Sequence, residues 1–261
     1  MPNGLNGFPA GPAPFGQGFY GWTSRTEADN SPTDPYYSST KLLLHCDGTD
    51  GSTVFTDQTG KPQYAFSGDA HISTARDKFG TASISLNQGA GSGWVDFPNS
   101  ADWDFGGADF TIECFAQFTT TSGTFQGIIN RRTYSGGADG WLFMLSGGTL
   151  VFWASTTGSS WNIMCNTSFT PSLNTWYHLA VVNIAGTINV YVNGISLAST
   201  SLGGGSIYPQ AGAGSSAPLR LGAFHDGSNW FYGFLDEVRI TKGVGRYLGP
   251  FLVPDAPFPN K

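Results

Sequence analysis

The stretch "GFLDEVRITK" (residues 233–242) alternates apolar and polar side chains in the way that is typical of a β-strand. Successive strand residues point to opposite faces, so Asp236 and Glu237 are predicted to lie on opposite faces of a sheet. The alternation places Asp236 beside Val238, facing inward, and lets Glu237 pair with Arg239 on the other face. A buried carboxylate needs donors, and we expect protein hydrogen bonds rather than a metal ion to satisfy Asp236.

The rest of the chain has the composition of a protein built from short strands. The 261 residues are 39% hydrophobic and 15% aromatic but only 11% charged, with 37 Gly and 15 Pro. No window has a sustained helical apolar period, and the pairs Asn193-Gly194 and Gly147-Gly148 predict two-residue hairpin turns between strands. These features predict an all-β fold, arranged as one large two-sheet antiparallel sandwich.

Two segments are predicted to lie in the core. The alternation in "FTIECFAQF" (residues 110–118) puts Cys114 on a wholly apolar face, and "WYHLAVVN" (residues 176–183) is largely apolar on both faces, as in a central strand. The three cysteines Cys46, Cys114 and Cys165 cannot all pair within one chain. We therefore interpret Cys114 as a small core residue, with a Cys46–Cys114 disulfide as the alternative.

The first part of the chain differs from the rest. Residues 1–38 are dense in Gly and Pro, poor in charge and rich in aromatic side chains, whereas residues 39–261 have the strand pattern of a β-domain. The segment is either a disordered tail or an extended arm that becomes ordered against another protein. In the second case its docking anchors are Phe8, Phe15, Phe19, Tyr20 and Trp22.

Charge and hydropathy exclude two classes of partner. The net charge of -6 and the pI near 5.0 argue against a nucleic-acid partner, since phosphate binding needs clustered Lys and Arg. The sequence contains no run of 18 apolar residues, so membrane insertion is not predicted. The N-terminus lacks the basic start and apolar core of a secretory signal. The glycosylation acceptor pattern at Asn166 is accordingly interpreted as chance.

The order of three segments carries a family resemblance. "DFTIECFAQF" (109–118), "NTWYHLAVVNIAGTINVYVNG" (174–194) and "LRLGAFHDGSNWFYGFLDEVRITKGVGRY" (219–247) together resemble the concanavalin A-like, laminin-G-like jelly-roll superfamily, in particular the version found in phage and marine viral structural proteins. The resemblance covers residues 41–259 and implies two antiparallel sheets of six or seven strands each. Relatives include sugar-binding lectins, adhesion modules and hydrolases, so the fold alone does not give the function. The ending "RYLGPFLVPDAPFPNK" (246–261) resembles the ends of viral members.

Catalysis is not predicted. A glycosidase needs two carboxyl groups on one face, about 5 to 9.5 Å apart, and neighbouring strand residues cannot supply them. The Glu, Asp, Glu pattern of glucan-cleaving relatives does not occur, the four histidines are scattered, and no nucleophile elbow or phosphate-binding loop is present. A glycoside hydrolase is therefore only a third candidate function.

Acidic turns are candidate calcium sites. Hard cations need several carboxylate and carbonyl oxygens, which turns rich in Asp and Gly provide. Asp47, Asp50 and Asp57 are the first candidates, followed by Asp226 and Asn229. The alternative is that each side chain caps its own turn. We thus expect either no cofactor or a structural calcium ion.

Two loops have the composition of a glycan-binding site, with aromatic rings for stacking and polar groups for sugar hydroxyls. The candidates are His225, Asp226, Asn229 and Trp230 in "FHDGSNWFYG", and Trp161 in "STTGSSWN". The alternative is that these aromatic residues belong to the core or to an interface.

The sequence thus favours a non-enzymatic structural protein of a virion, assembled in the host cytoplasm as a capsid decoration or tail- or fibre-associated subunit. Its arm would dock on other virion proteins of the capsid or tail, and its sandwich would face outward. Self-association into a homo-oligomer is left open. The alternative function is a carbohydrate-binding adhesin for host-surface polysaccharide, and the two roles are compatible.

Overall fold

The structure is a computed structural model that describes residues 33–86, 93–122, 125–132, 138–209 and 217–261. The docking anchors predicted in the N-terminal arm lie outside these residues. Two short 3-10 helices, Tyr37–Ser39 and Ala101–Trp103, accompany the strands. The strands are β1 Thr40–Leu44, β2 Ala65–Ser67, β3 His71–Ser73, β4 Ser83–Leu86, β5 Trp94–Phe97, β6 Phe110–Phe118, β7 Phe125–Arg131, β8 Trp141–Ser146, β9 Thr149–Ala154, β10 Ile163–Ser168, β11 Trp176–Ile184, β12 Thr187–Val192, β13 Ile195–Ser201, β14 Leu219–Leu221 and β15 Gly233–Lys242.

The strands form two antiparallel sheets, which confirms the predicted all-β sandwich. In the described part of the chain, one sheet has eight strands in the order β13-β12-β11-β6-β15-β4-β3, with β1 also paired to β15. The other has seven, in the order β10-β9-β8-β7-β14-β5-β2. Sequence reasoning missed β2, β3 and β10, because the first two are only three residues long and the third is half polar. No helix among the described residues is long and apolar enough to cross a membrane.

The core lies between the two sheets and contains the residues predicted for it. Phe110, Ile112 and Cys114 of β6 belong to the large buried cluster, as the alternation predicted. All three cysteines are buried free thiols, so the alternative of a disulfide between Cys46 and Cys114 is wrong. Burial raises the pKa of the Cys114 thiol, which therefore acts as a small apolar side chain.

β11 is an interior strand that is covered on both faces, as predicted. Leu179 faces the core, whereas Ala180 on the opposite face packs in a separate buried cluster. The predicted hairpin turn after β12 is also confirmed, because Asn193 and Gly194 have φ values of 48° and 78°. Gly147 and Gly148 form the other, with φ values of 51° and 81°.

β15 contains a β-bulge that changes the predicted faces of its side chains. Asp236 pairs with Phe115 of β6, but the next paired residue, Arg239, lies opposite Glu113. Two residues of β15 therefore oppose one residue of β6, and Glu237 adopts the left-handed conformation with φ 47°. The bulge shifts the alternation by one residue from this point onward.

The prediction that Asp236 shares a face with Val238 is therefore wrong. Val238 faces the core, whereas Asp236 lies with Phe115 on the outer face of the eight-stranded sheet. The expected protein hydrogen bonds are confirmed, since its carboxylate accepts the backbone N–H groups of Lys78 at 2.8 Å and Phe79 at 3.1 Å. The N–H of Glu237 also donates to it, at 2.8 Å. Burial nevertheless raises the pKa of Asp236 to about 7, against the effect of these donors.

The predicted pair between Glu237 and Arg239 is also wrong. Glu237 accepts hydrogen bonds from His45 Nδ1 and from the backbone N–H of Phe258, each at 2.8 Å. Arg239 instead donates to Glu113 at 2.8 Å. The bulge is the physical reason, because it turns the two side chains toward different neighbours.

The outer face of the eight-stranded sheet is covered by the C-terminal segment, residues 244–261. Apolar side chains of this segment pack over β6 and β11, and Arg246 reaches Asp34 through two hydrogen bonds of 2.6 and 3.0 Å. Asp34 is only 5% exposed, and Arg239 lies 3.4 Å from its carboxylate. The last residues of the predicted arm, from Asp34 onward, thus pack against the sandwich.

Candidate functional site

The outer face of the seven-stranded sheet, defined as the face turned away from the core, holds most of the predicted glycan-binding residues. Phe143 of β8 and Phe152 of β9 point into the core, so their neighbours along each strand point outward. Strand pairing arranges these outward side chains in three cross-strand rows. The rows are Asn130-Leu142-Trp153-Met164, Gly127-Met144-Val151-Asn166 and Phe125-Ser146-Thr149-Ser168.

A second apolar cluster lies on this face and joins two loops that are distant in sequence. Buried Leu142, Met144 and Val151 form its base together with Phe224. The half-buried rings of Phe125, Trp153 and Trp161 pack against it. The structure therefore brings Trp161 and the loop of residues 222–230, which carries the other four candidates, to the same face of one sheet.

Gly127 of β7 holds the loop of residues 222–230 close to the sheet. A Cβ atom at this position would lie 2.8 Å from the ring of Phe224 and 2.9 Å from the carbonyl carbon of Ala223, so only glycine fits. The N–H of Gly127 donates to the carbonyl oxygen of Asn229 at 2.8 Å. Nearby, Asn130 Nδ2 donates to the carbonyl oxygen of Ala223 at 2.6 Å.

A buried ion pair fixes the other side of this loop. Arg220 of β14 donates to both carboxylate oxygens of Asp96 of β5, at 2.7 Å each. It also donates to the carbonyl oxygens of Phe224 at 3.0 Å and His225 at 2.9 Å, and its guanidinium lies 4.4 Å from the ring centre of Trp94. The pair thus neutralises charge on the sheet and satisfies the backbone of the loop.

These anchoring residues were missed from the sequence. Gly127 carries a recognisable signal, because a glycine inside a strand often marks the close approach of another backbone segment. The charged residues Asp96 and Arg220 carry no such signal, since their positions in "GWVDFP" and "LRLGAF" could equally face solvent. Their pairing depends on β5 and β14 being neighbours in the sheet.

Polar side chains of the loop of residues 222–230 form hydrogen bonds mainly with other atoms of the same loop. The carboxylate of Asp226 accepts the N–H of Ser228 at 3.0 Å, and the indole N–H of Trp230 donates to the carbonyl oxygen of Gly227 at 2.8 Å. Asn229 Nδ2 donates to the hydroxyl of Ser228 at 2.7 Å. This is the turn-capping pattern that the sequence left open as the alternative.

Electrostatics in the loop favour an ionised aspartate and a neutral histidine. Partial burial acts to raise the pKa of Asp226, but the hydrogen bonds from Ser228 and the charge of Arg132 outweigh it, so that pKa is lowered. Burial and the nearby Arg220 lower the pKa of His225. Asp226 and His225 therefore do not form an acid–base pair that titrates near neutral pH.

The other end of the face is formed by β10 and the loop of residues 155–162. The rings of Trp153 and Trp161 lie side by side, with centroids 6.4 Å apart and planes inclined at 40°. The indole N–H of Trp153 donates to Asn166 Oδ1 at 2.8 Å, which fixes the orientation of the ring. Met164, on the same strand as Asn166, is 47% exposed.

The three aspartates predicted as calcium ligands lie elsewhere, and only Asp57 caps its own turn, where its carboxylate accepts the backbone N–H groups of Thr59 at 3.0 Å and Lys61 at 3.1 Å. Each accepts a backbone N–H group from a residue distant in sequence. The pairs are Asp47 with Thr81 at 2.6 Å, Asp50 with Thr74 at 2.9 Å and Asp57 with Leu43 at 2.9 Å. Across the residues that the structure describes, no three His, Cys, Asp or Glu side chains are grouped so as to hold a metal ion.

Comparison with known families now places the fold. The Laminin_G_3 family model, described as the concanavalin A-like lectin/glucanases superfamily, matches residues 88–244, which is more than half of the chain. The chain belongs to the concanavalin A-like lectin/glucanase superfamily. The matched region of this superfamily member includes both candidate loops and the central strands of both sheets. No curated protein sequence matches the chain.

Solved structures of binding domains share this architecture. The botulinum neurotoxin serotype G binding domain superposes with a TM-score of 0.58 at 15% identity, covering 80% of this chain and 48% of that one. The binding domain of Paraclostridial Mosquitocidal Protein 1 gives 0.56 at 18% identity, covering 79% and 49%. A botulinum neurotoxin type C structure gives 0.54 at 14%, covering 79% and 48%. This superfamily member spans about half the length of each, and at these identities the likeness concerns the fold alone.

Proposed function

We propose that this protein is a non-enzymatic carbohydrate-binding module whose outer face on the seven-stranded sheet contacts host-surface glycans. One observation carries the proposal: the rings of Trp153 and Trp161 lie side by side on a sheet face, next to the exposed amide of Asn166. Sugar rings have apolar faces that stack on aromatic side chains, and their hydroxyls need polar partners nearby.

The structural neighbours support this class of ligand. The botulinum neurotoxin type C structure is described as showing that cell entry depends on interaction with two ganglioside molecules. That statement concerns the toxin, which shares only 14% identity with this chain. The argument for this protein therefore rests on the chemistry of its own sheet face.

The carboxylates near the face support a binding role rather than glycoside hydrolysis. A glycosidase needs one carboxyl group that stays protonated near neutral pH beside a second that is ionised. Here Asp96 is held in a bidentate pair with Arg220, and the pKa of Asp226 is lowered. The aspartate with a raised pKa, Asp236, lies on the other sheet and faces away from this site.

A glycan array tests the proposal directly. We expect the wild type to bind at least one class of glycan, and Trp161→Ala to weaken that binding. The matched control is Leu252→Ala, which removes a 56% exposed apolar side chain from the C-terminal segment over the other sheet and should change nothing. Absence of binding to every glycan on the array would overturn the proposal, and turnover of a polysaccharide would overturn its non-enzymatic part.

We further propose that the module is a virion subunit of the capsid, tail or fibre, docked on other virion proteins through residues 1–32. The supporting observation is the position of Asp34, which pairs with Arg246 on the outer face of the eight-stranded sheet. The chain thus enters the domain on the side opposite the candidate glycan face. An anchor attached there would leave that face directed away from the particle.

A truncated chain tests the docking role. The variant should begin at Thr33, because a deletion through Ser38 would also remove the buried Asp34 and its ion pairs. We expect this variant to fold, to bind glycans like the full chain and to be absent from purified particles. Incorporation at the full level would overturn the docking role and leave the glycan-binding proposal intact.

A further inference from the structure

We infer that the sugar contacts a strip formed by strands β9 and β10 and by Trp161 of the loop between them, rather than the loop of residues 222–230, and that the strip takes a neutral glycan. The strip consists of Thr149, Trp153, Trp161, Met164, Asn166 and Ser168. This inference rests on the proposed function and names the part of the face that performs it.

Strand pairing places the strip on one continuous surface. Trp153 lies directly opposite Met164, and Thr149 lies opposite Ser168, with Asn166 between the two rows on β10. Alternate residues along a strand are roughly 7 Å apart, so the strip extends about 14 Å from its aromatic end to its hydroxyl end. An extended sugar chain lying along β9 and β10 would meet an aromatic platform first and hydrogen-bonding groups next.

Unused hydrogen-bonding groups distinguish the strip from the loop. Within the described residues, the Nδ2 group of Asn166 and the hydroxyls of Thr149 and Ser168 make no hydrogen bond, and Asn166 and Ser168 are exposed. In the loop, by contrast, Asp226 and the indole N–H of Trp230 already have partners. In the loop the indole N–H of Trp230 and one carboxylate oxygen of Asp226 are therefore already engaged, whereas the strip offers an amide donor and two hydroxyls that have no partner among the described residues.

The aromatic end of the strip is held in place before any ligand binds. Asn166 Oδ1 accepts the indole N–H of Trp153, and Trp161 packs against the same ring. The ring of Trp153 also packs against the buried apolar cluster on the same face, which contains Leu142 and Val151. A platform whose orientation is already fixed loses little conformational entropy on binding.

The charge of the strip favours a neutral ligand. None of its six side chains is ionisable. The cations of this face lie toward the loop, where Arg220 is paired with Asp96 and Arg132 lies 5.7 Å from the ring centre of Phe224. A sulfated or carboxylated sugar on the strip would lose hydration without gaining a cationic partner.

Calorimetry with purified full-length protein tests the inference. The probes are neutral hexasaccharides of glucose, galactose, mannose or N-acetylglucosamine, and acidic oligosaccharides that carry sialic or uronic acid. Asn166→Asp keeps the acceptor for the indole N–H of Trp153 but removes the amide donor and adds a charge. We expect at least one neutral probe to bind, and Asn166→Asp to weaken it about tenfold or more. Thr149→Val should weaken it by roughly two- to tenfold, the effect of one neutral hydrogen bond.

The control in the loop is Trp230→Ala, which should bind the neutral probe as the wild type does. Loss of binding in Trp230→Ala with full binding in Asn166→Asp would overturn the strip and retain the glycan-binding function. Binding of acidic probes alone would overturn the neutral specificity. Failure of every probe would overturn the proposed function itself. Self-association of the wild type that Met164→Lys abolishes would make the strip an interface between copies, and would also overturn the inference.

Discussion

Asp236, which directly precedes the bulge in β15, should make the stability of the fold depend on pH. This side chain is fully buried, and burial raises its pKa from 3.8 to about 7. The folded state therefore binds a proton that the unfolded state releases between these two values. Stability from this group is fully present below pH 4, is lost as pH rises, and reaches its minimum above about pH 7. The substitution Asp236→Asn removes the titration while keeping the size and one acceptor oxygen of the side chain.

The magnitude follows from the size of the shift. A pKa difference of one unit corresponds to about 1.4 kcal/mol, so a shift of about three units corresponds to about 4 kcal/mol between pH 4 and pH 7. Over the accessible range from pH 5 to pH 8, the asparagine variant should gain about 3 kcal/mol relative to the wild type. Burial acts to lower the pKa of His45, but the hydrogen bond to Glu237 and the charge of that carboxylate outweigh it, so that pKa is raised. This raised pKa also lowers stability as pH rises, but the variant retains His45 and the difference isolates Asp236.

Urea unfolding of both proteins at pH 5, 6, 7 and 8 measures this difference, and carboxyl carbon NMR gives the pKa directly. A difference that stays constant with pH would contradict the reasoning. A carboxyl pKa below 4 would contradict it as well, because it would mean that the N–H groups of Lys78, Phe79 and Glu237 outweigh burial.

Three further substitutions test how the candidate face and the N-terminal entry are held. Arg220→Met should lower the free energy of unfolding by about 3 to 5 kcal/mol in urea titrations, because Asp96 is left charged and buried, and adding Asp96→Leu should recover most of the loss. Gly127→Ala should lower it by about 1 to 3 kcal/mol through overlap with the loop above; an unchanged unfolding midpoint would show that the loop is not packed there. Asp34→Ala should lower it by about 3 kcal/mol or more, since two buried arginines lose a partner, and a loss below about 0.5 kcal/mol would contradict the packing of this segment.

Much of the fold could be predicted because its signals are local. The alternation around Cys114 and Leu179 placed β6 and β11 in the interior of the sandwich, and the Asn193-Gly194 pair located a hairpin turn. Each signal depends on residues within one strand or one turn. Side-chain direction alternates strictly along a regular strand, so a few neighbours suffice to assign a face.

The candidate site was predicted only in part. The aromatic residue Trp161 and the loop of residues 222–230 were identified, but not the partners that decide their roles. Asn166 was missed because β10 carries no strong alternation in sequence. Trp153 of β9 was missed because its contact with Asn166 forms only when β9 and β10 pair. The anchoring by Arg220 depends likewise on a neighbouring strand that lies more than a hundred residues away in sequence.

The sequence by itself determined the sandwich, its apolar faces and its tight turns. Only the tertiary structure decided which neighbours the acidic pair in "GFLDEVRITK" contacts. The apolar and polar pattern of the sequence does not show a β-bulge, and the bulge moves each later side chain of the strand to the opposite face of the sheet. Asp236 meets two of its three N–H donors at Lys78 and Phe79, about 160 residues earlier in the chain. Local patterns set which residues can be buried, whereas pairing between distant strands sets which polar groups meet there.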